Sequence, residues 1–382
     1  MYSNICHWFN DWYEQSDRNF PLDNWELDYV REDIWQEWQT LNEHIEKHPQ
    51  QSKKEREILD CLLLSSMKWA QKKAPHFTPQ EATEFIKSIK DKPQTEQHTY
   101  EWHAEKINLL TASEFGYAIG TAPAARKNVY ERKFIKAATL ASQQNTAFTP
   151  SVESTPVGIS NENGLLQATT WGHRFEPIAR NLASVLFFDG CPIADNLGRI
   201  IHKEHKKLAA SPDGLIESGS KAGHLVEIKC PITRVLVDDE IPYEYYCQMQ
   251  IQMEVANCPA VEYVEMKFSQ SITLPTSISR AAGVLAVIEE DGTLRYEYGP
   301  ISHGTNLEQL ASWQPATLKP ESILRERMYW SLEDSHWKTV HRNSFWWTEV
   351  GYPGYQQFWS CWDTEYERWL STQNRYMFIK DD

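Results

Sequence analysis

The chain has 382 residues, enough for one large or two ordinary domains around a sizeable core. Its 38 basic and 53 acidic side chains give a net charge of −15, which argues against a protein that coats nucleic acid but leaves room for a local basic groove. No apolar run reaches the roughly 18 residues of a membrane span, no basic-then-apolar leader opens the chain, and seven scattered cysteines without a CxxC pair point to a reducing compartment rather than a metal–thiolate framework. We therefore expect an intracellular, cytoplasmic protein with no membrane partner.

Residues 1–97 read as a helical, acidic, Trp-rich extension. The first fifty positions hold eleven acids against Arg18, Arg31 and Lys47. In "NWELDYVREDIWQEWQTLNEHIEKH", Trp25, Leu27, Val30, Ile34, Trp38, Leu41 and Ile45 recur at helical intervals. "TPQEATEFIKSIK" sets Thr78 before Pro79 with Glu81 three residues on, a capping box that opens another helix. The polar "DKPQTEQHTY" reads as a linker into a second unit, residues 98–382. There the charge reverses: Lys106, Arg126, Lys127, Arg132, Lys133 and Lys136 face only Glu114 and Glu131. "LLTASEFGYAIG" reads as a helix capped by Thr111 or Ser113 and ended by Gly120, and "VYERKFIKAATLA" as an amphipathic helix. "SQQNTAFTPSVESTPVGISNENG" reads as a long loop, and "TTWGHRFEPIARNLASVLF" as a helix after Gly172.

From Ile200 the period changes. "KKLAASPDGLIES" and "GHLVEIKCPI" read as two adjacent strands, "PYEYYCQMQIQMEVA" as a helix, "AVEYVEMKF" as a strand and "GVLAVIEEDGTLRYEYG" as a hairpin turning at "EDG". "RMYWSLEDSHWKTVHRN" reads as a second hairpin and "YQQFWSCWDTEYERWLST" as a closing helix. The order describes an α/β (α+β) core of about residues 101–300, with a C-terminal hairpin and helix over 301–382. The tryptophans crowding both flanks suit core packing better than base stacking.

Strand alternation points Glu227 and Lys229 to one face and Val226, Ile228 and Cys230 to the other. Asp213 heads the neighbouring strand. Two converging carboxylates repel each other and resist desolvation unless a cation joins them. A hard divalent ion suits them, and a lysine beside it can serve acid–base or oxyanion roles in phosphodiester hydrolysis. Taken by spacing alone, the same residues also read as a surface ion pair and a turn aspartate.

"ASPDGL" followed by "EIKCP" resembles the PD-(D/E)XK nucleases, and among them the lambda-exonuclease family of YqaJ-type viral recombinases. "LLTASEFG", "WGHRFEPIAR" and "YYCQMQIQM" resemble that family's T-A-S, W-G-x-x-x-E and Q-x-Q helices in the same order, and "VHRNSFWW" loosely resembles a later stretch. The resemblance runs from about Glu101 to Glu265 and thins towards Trp369. It implies a restriction-endonuclease-like core: a central mixed sheet flanked by helices. It implies Asp213, Glu227 and the Ile228 carbonyl as ligands of Mg²⁺ or Mn²⁺, with Glu176 approaching the same metal. Lys229 would be the catalytic lysine, and Gln248 and Gln250 would lie against the site, Gln250 more closely. Lys106, Thr111 and Ser113 would bind the DNA end. Lys106 stands where the family often has an arginine for a terminal 5′-phosphate, and lysine keeps the charge but loses the bidentate fork. Blander roles compete: Ser113 as a helix cap, Glu176 as the i,i+4 partner of Arg180, Gln250 as an ordinary helix residue, and the basic helix and "HKEHKK" as solvated faces. The expected activity is exonucleolytic digestion of duplex DNA, in company with an annealing protein and as a homo-oligomer. The alternatives are an endonuclease of genome defence or DNA processing, and a catalytically silent DNA-binding module.

Overall fold

The structure, a computed structural model, describes residues 24–42, 49–73, 77–97, 99–120, 122–144, 168–237, 240–278, 280–290, 293–303, 307–316 and 319–378, with Ile5, Trp8, Phe9 and Trp12. Helices α1 (Asn24–Leu41) and α2 (Pro49–Lys73) share a core of their own. Val30, Ile34, Trp35 and Trp38 meet Leu59 and Leu63 there, and Trp38 Nε1 donates to the buried Glu55 carboxylate at 2.9 Å. The side chains of Trp25 and Trp69 lie outside the described residues.

Helix α3 (Pro79–Asp91) opens with the expected reciprocal cap: the Thr78 N–H donates to Glu81 Oε2 at 2.7 Å and the Glu81 N–H to Thr78 Oγ1 at 3.3 Å. Its Ile89 is fully buried in the core of the second unit, with Phe85 and Ile86 at the edge. The stretch expected to be a linker is tied down as well. Thr95 bridges Arg199, and Gln94 and Gln97 bond to backbone about a hundred residues away. Its polar side chains signal satisfied backbone partners rather than a free tether. Packing therefore crosses the expected division at residue 97.

Beyond it come α4 (Tyr100–Glu105), β1 (Leu110–Thr111), α5 (Ala112–Ile119), α6 (Pro123–Gln144), α7 (Ala168–Phe187), β2 (Ile193–Ala194), β3 (Ile200–Ile201) and β4 (Leu208–Ala210). Then follow β5 (Gly214–Ile216), β6 (Leu225–Lys229), α8 (Tyr243–Ala256), β7 (Ala260–Ser271), β8 (Ala282–Glu290) and β9 (Thr293–Ser302). The chain closes with α9 (Glu308–Ser312), β10 (Ile323–His341), α10 (Tyr352–Ser360) and α11 (Trp362–Phe378).

The large sheet runs β2-β5-β6-β7-β10-β8-β9, and a small one runs β1-β4-β3. In the large sheet β6 and β7 are parallel and the other pairs antiparallel. Parallel neighbours need a crossover, which α8 supplies. This helix is buried on almost every side and ends at Asn257 in the left-handed conformation, φ 60°. It lies against α5 at Gly116, where a Cβ would stand 2.7 Å from Glu244 Cα. The sheet separates two cores. Leu225 joins Leu110, Phe115, Tyr246 and Met249 on one side, while Val226 and Ile228 join Phe175, Ile178 and Val264 on the other. The expected mixed sheet flanked by helices is what the chain forms.

Three local expectations are corrected. The predicted second hairpin is one 19-residue strand, β10, whose N-terminal part pairs with β8 and C-terminal part with β7. Its "LED" is a bulge between Leu332 and Asp334, which bends the strand without reversing it. Helix α7 runs through Gly172 from Ala168, and the closing helix breaks at Cys361 into α10 and α11. The expected long loop over residues 145–164 and the "EDG" turn positions 291–292 lie outside the described residues, although β8 and β9 pair as that hairpin requires. Trp330 and Trp346 are fully buried, and Trp359, Trp362 and Trp369 pack around the first core, as core-forming tryptophans should. No described helix is long and apolar enough to cross a membrane.

If α3 belongs to the second unit, Ile89→Ala should lower the stability of the full chain by about 2–5 kcal/mol in a denaturant titration. A loss below about 1 kcal/mol would show that α3 only rests on that core.

Candidate active site

Asp213 reaches the site because β5 pairs antiparallel with β6. The Asp213 N–H donates to the Val226 carbonyl at 3.1 Å, and Asp213 Oδ2 accepts the Ile228 N–H at 2.8 Å. That second bond fixes the carboxylate beside the strand segment carrying Glu227 and Lys229. Glu227 is wholly buried, so its charge must be met by donors. Its Oε1 accepts Lys229 Nζ and Gln248 Nε2, the latter at 2.6 Å, and its Oε2 accepts Gln252 Nε2 at 2.5 Å. Lys229 also donates to Gln248 Oε1 at 3.2 Å and lies 4.8 Å from the centre of the Tyr245 ring.

Glu176 comes from α7 and accepts from Arg180 at 2.6 Å, while Arg180 also holds Asp195 at 2.6 Å. The ion pair expected from the spacing is present. Glu176 nonetheless lines, with Asp213, His173 and Arg180, a cleft of about 720 Å³ whose lining also includes Lys92, Gln94 and Gln97. Burial, then Glu227, then Glu176 raise the Asp213 carboxyl well above its usual range. Burial raises Glu176 too, against the pull of Arg180 and with a push from Glu227. For Lys229, burial alone would favour the neutral amine, but Glu227 and Asp213 outweigh it and hold the ammonium.

Among the described residues no three carboxylate, imidazole or thiol side chains form a metal-binding cluster. The donors expected from sequence are of another kind, two carboxylates and a backbone carbonyl. They fit a hard cation: burial and the neighbouring carboxylates of Glu227 and Glu176 oppose the charge on Asp213, and a positive charge between them would relieve that opposition. Glu227 Oε2, bonded by one donor, retains a second lone pair.

Residues 101–259 match the YqaJ-like viral recombinase domain. The resemblance seen in the sequence is borne out over that stretch, which spans α4 to α8 and holds every predicted site residue. Among solved structures, the chain is similar to an alkaline exonuclease from Laribacter hongkongensis: 18% identity over 73% of this chain and 100% of that one, TM-score 0.38. The same enzyme in complex with dAMP gives 18% identity, the same coverage and a TM-score of 0.39. A phage-related exonuclease from Haemophilus somnus 129PT gives 14% identity over 69% of this chain and 96% of that one, TM-score 0.32. No curated protein sequence matches the chain.

Within the YqaJ-like region the two glutamines part company. Gln248 touches Glu227 and Lys229, but Gln250 points away, donating to the His341 carbonyl at 2.9 Å and accepting the Asn343 N–H at 2.8 Å. The second amide donor to Glu227 is Gln252, which sequence reasoning missed. The signal was there: residues four apart share a helix face, and residues two apart do not. Thr111 caps α5 and donates to Glu114 Oε2 at 2.7 Å, with Ser113 Oγ 3.4 Å from the Thr111 hydroxyl. Lys133 of the basic helix is buried and donates to Glu114 and to the carbonyls of Lys106 and Leu109. Its charge serves the fold. Lys106 lies 4.2 Å from the Trp102 ring centre and is brought down to about 8, chiefly by burial. Trp102 Nε1 donates to Ser211 Oγ at 3.1 Å, two residues before Asp213, so Lys106 adjoins the site through that indole.

Asp213 binds its proton more tightly folded than unfolded. Stability on this account is greatest at low pH, falls as pH rises from the unfolded value near 4, and carries the full cost above the folded value. In the absence of divalent cations, Asp213→Asn should therefore raise the neutral-pH melting temperature, by about 2 °C or more, and the gain should vanish at acid pH. A melting temperature unchanged or lowered at neutral pH would show that the carboxylates do not strain the fold.

Proposed function

We propose that the protein is a metal-dependent deoxyribonuclease that digests duplex DNA from a free end. The observation that carries this reading is the convergence of Asp213, Glu227 and Lys229 on one short stretch of β6, inside the YqaJ-like region. Asp213, Glu227 and the Ile228 carbonyl would hold Mg²⁺ or Mn²⁺, with Glu176 at its edge, and the ion would supply Lewis-acid stabilisation of the phosphoryl group. Gln248 and Gln252 keep the Glu227 carboxylate in one orientation. Lys229, anchored by Glu227 and Gln248, presents an ammonium that can donate to the oxyanion developing at phosphorus. Lys106, stacked on the Trp102 indole that bonds to Ser211, would meet a phosphate of a strand end.

The full chain incubated with linear and closed-circular duplex DNA, with Mg²⁺ and with EDTA, should digest only the linear form and only with the cation. Cleavage of closed circles at an equal rate would favour an endonuclease, and absence of cleavage a silent binding module. Asp213→Ala should abolish cleavage, and Lys229→Ala should lower turnover by roughly 10²-fold. Wild-type activity in Asp213→Ala would remove the assigned site.

The glutamines separate positioning from folding. Gln252→Ala should cut kcat by about 10-fold with little change in KM, since it loosens only the Glu227 carboxylate. Gln250→Ala should leave kcat alone and cost about 1–3 kcal/mol of stability, because it strands a buried N–H and a buried carbonyl. The reverse pattern would exchange their roles.

A further inference from the structure

The segment that joins α3 to α4 precedes the YqaJ-like region, yet it forms part of the cleft. Its backbone runs along the loop before β3: the Arg199 N–H donates to the Thr95 carbonyl at 2.8 Å and the Gly198 N–H to Gln94 Oε1 at 2.6 Å. A Cβ on Gly198 would stand 2.5 Å from the Thr95 oxygen, so the close approach needs a glycine there. Gln97 Nε2 donates to the carbonyls of Leu197 at 2.9 Å and Pro212 at 3.1 Å, and Pro212 immediately precedes Asp213.

Charge gives this wall a task. The cleft carries Glu96, Glu176, Asp195 and Asp213, four carboxylates that repel a phosphate chain. Its cations are mostly spoken for: Arg180 is held by Glu176 and Asp195, and Lys90 by Glu217. Lys92 is exposed at the same cleft and has no salt bridge among the described residues.

We propose that residues 92–97 are a built wall of the DNA groove, in which Lys92 contacts a phosphate of the bound strand and the glutamines hold that lysine in place against the loop before β3. This rests on the nuclease reading above.

The test is binding of a linear duplex by the full chain in EDTA, so that no cleavage intervenes, as a function of salt. Lys92→Gln should weaken binding about 5-fold at low salt and reduce the slope of log K against log[salt] by about 1. Lys54→Gln, an exposed lysine on α2, controls for net charge and should change neither. Gly198→Val should displace the wall and give a comparable loss, and adding Lys92→Gln to it should produce little more, since both act on one contact. An unchanged slope in Lys92→Gln, or full additivity of the two substitutions, overturns the wall while leaving the nuclease reading intact. Failure of the wild-type chain both to bind and to cut DNA overturns the nuclease reading and the wall together.

Discussion

The carboxylate of Glu227 is buried on a central strand of the sheet, and much of the rest of the molecule answers to it. A desolvated charge is tolerated only where donors surround it. Lys229 supplies one from the same face of β6, and Gln248 and Gln252 supply two more from α8. Rotating α8 or slipping it by one residue would strand that charge. The requirement therefore sets the placement of a helix whose apolar surface, spread around its whole girth, specifies no single orientation. The parallel pairing of β6 with β7 follows from the same crossover.

Around this centre the charges are arranged at some cost to the fold. Burial, with a further push from Glu227, makes Asp213 and Glu176 each hold a proton more firmly than a free carboxyl would. Arg180 and Lys229 relieve the crowding in part. Sites that gather like charges trade stability for a defined place to bind a counter-charge. On the other side of the first core the trade runs the other way. Buried Lys133 is held by Glu114 and the carbonyls of Lys106 and Leu109, and buried Arg199 by Glu105 and the Trp102 carbonyl, so these two cations serve as internal scaffolding.

The acidic extension divides by packing. Helices α1 and α2 bury their tryptophans against each other. Helix α3 and the segment after it give their apolar and polar groups to the second unit instead, Ile89 to its core and Gln97 to the carbonyl before Asp213. The appended segment is thereby joined to the residue before a candidate metal ligand.

Local patterns determined a good deal. Period-two alternation put Glu227 and Lys229 on one face and Ile228 on the other, because successive strand side chains must oppose each other. The Thr78–Glu81 capping box and the Glu176–Arg180 pair needed only spacing along a helix. What escaped the sequence involved partners distant along the chain. "DKPQTEQHTY" has the composition of a linker, and only the loop around Gly198 makes it a fixed strap. "SLEDS" has the composition of a turn, and only its pairing along β7 keeps it extended. Gln252 and Gln250 are the same residue type one half-turn apart. Helical phase separates them, but which face meets Glu227 is settled when α8 docks on the sheet. Sequence spacing fixes directions about a local axis, whereas the axis itself is placed by burial, and burial belongs to the whole fold.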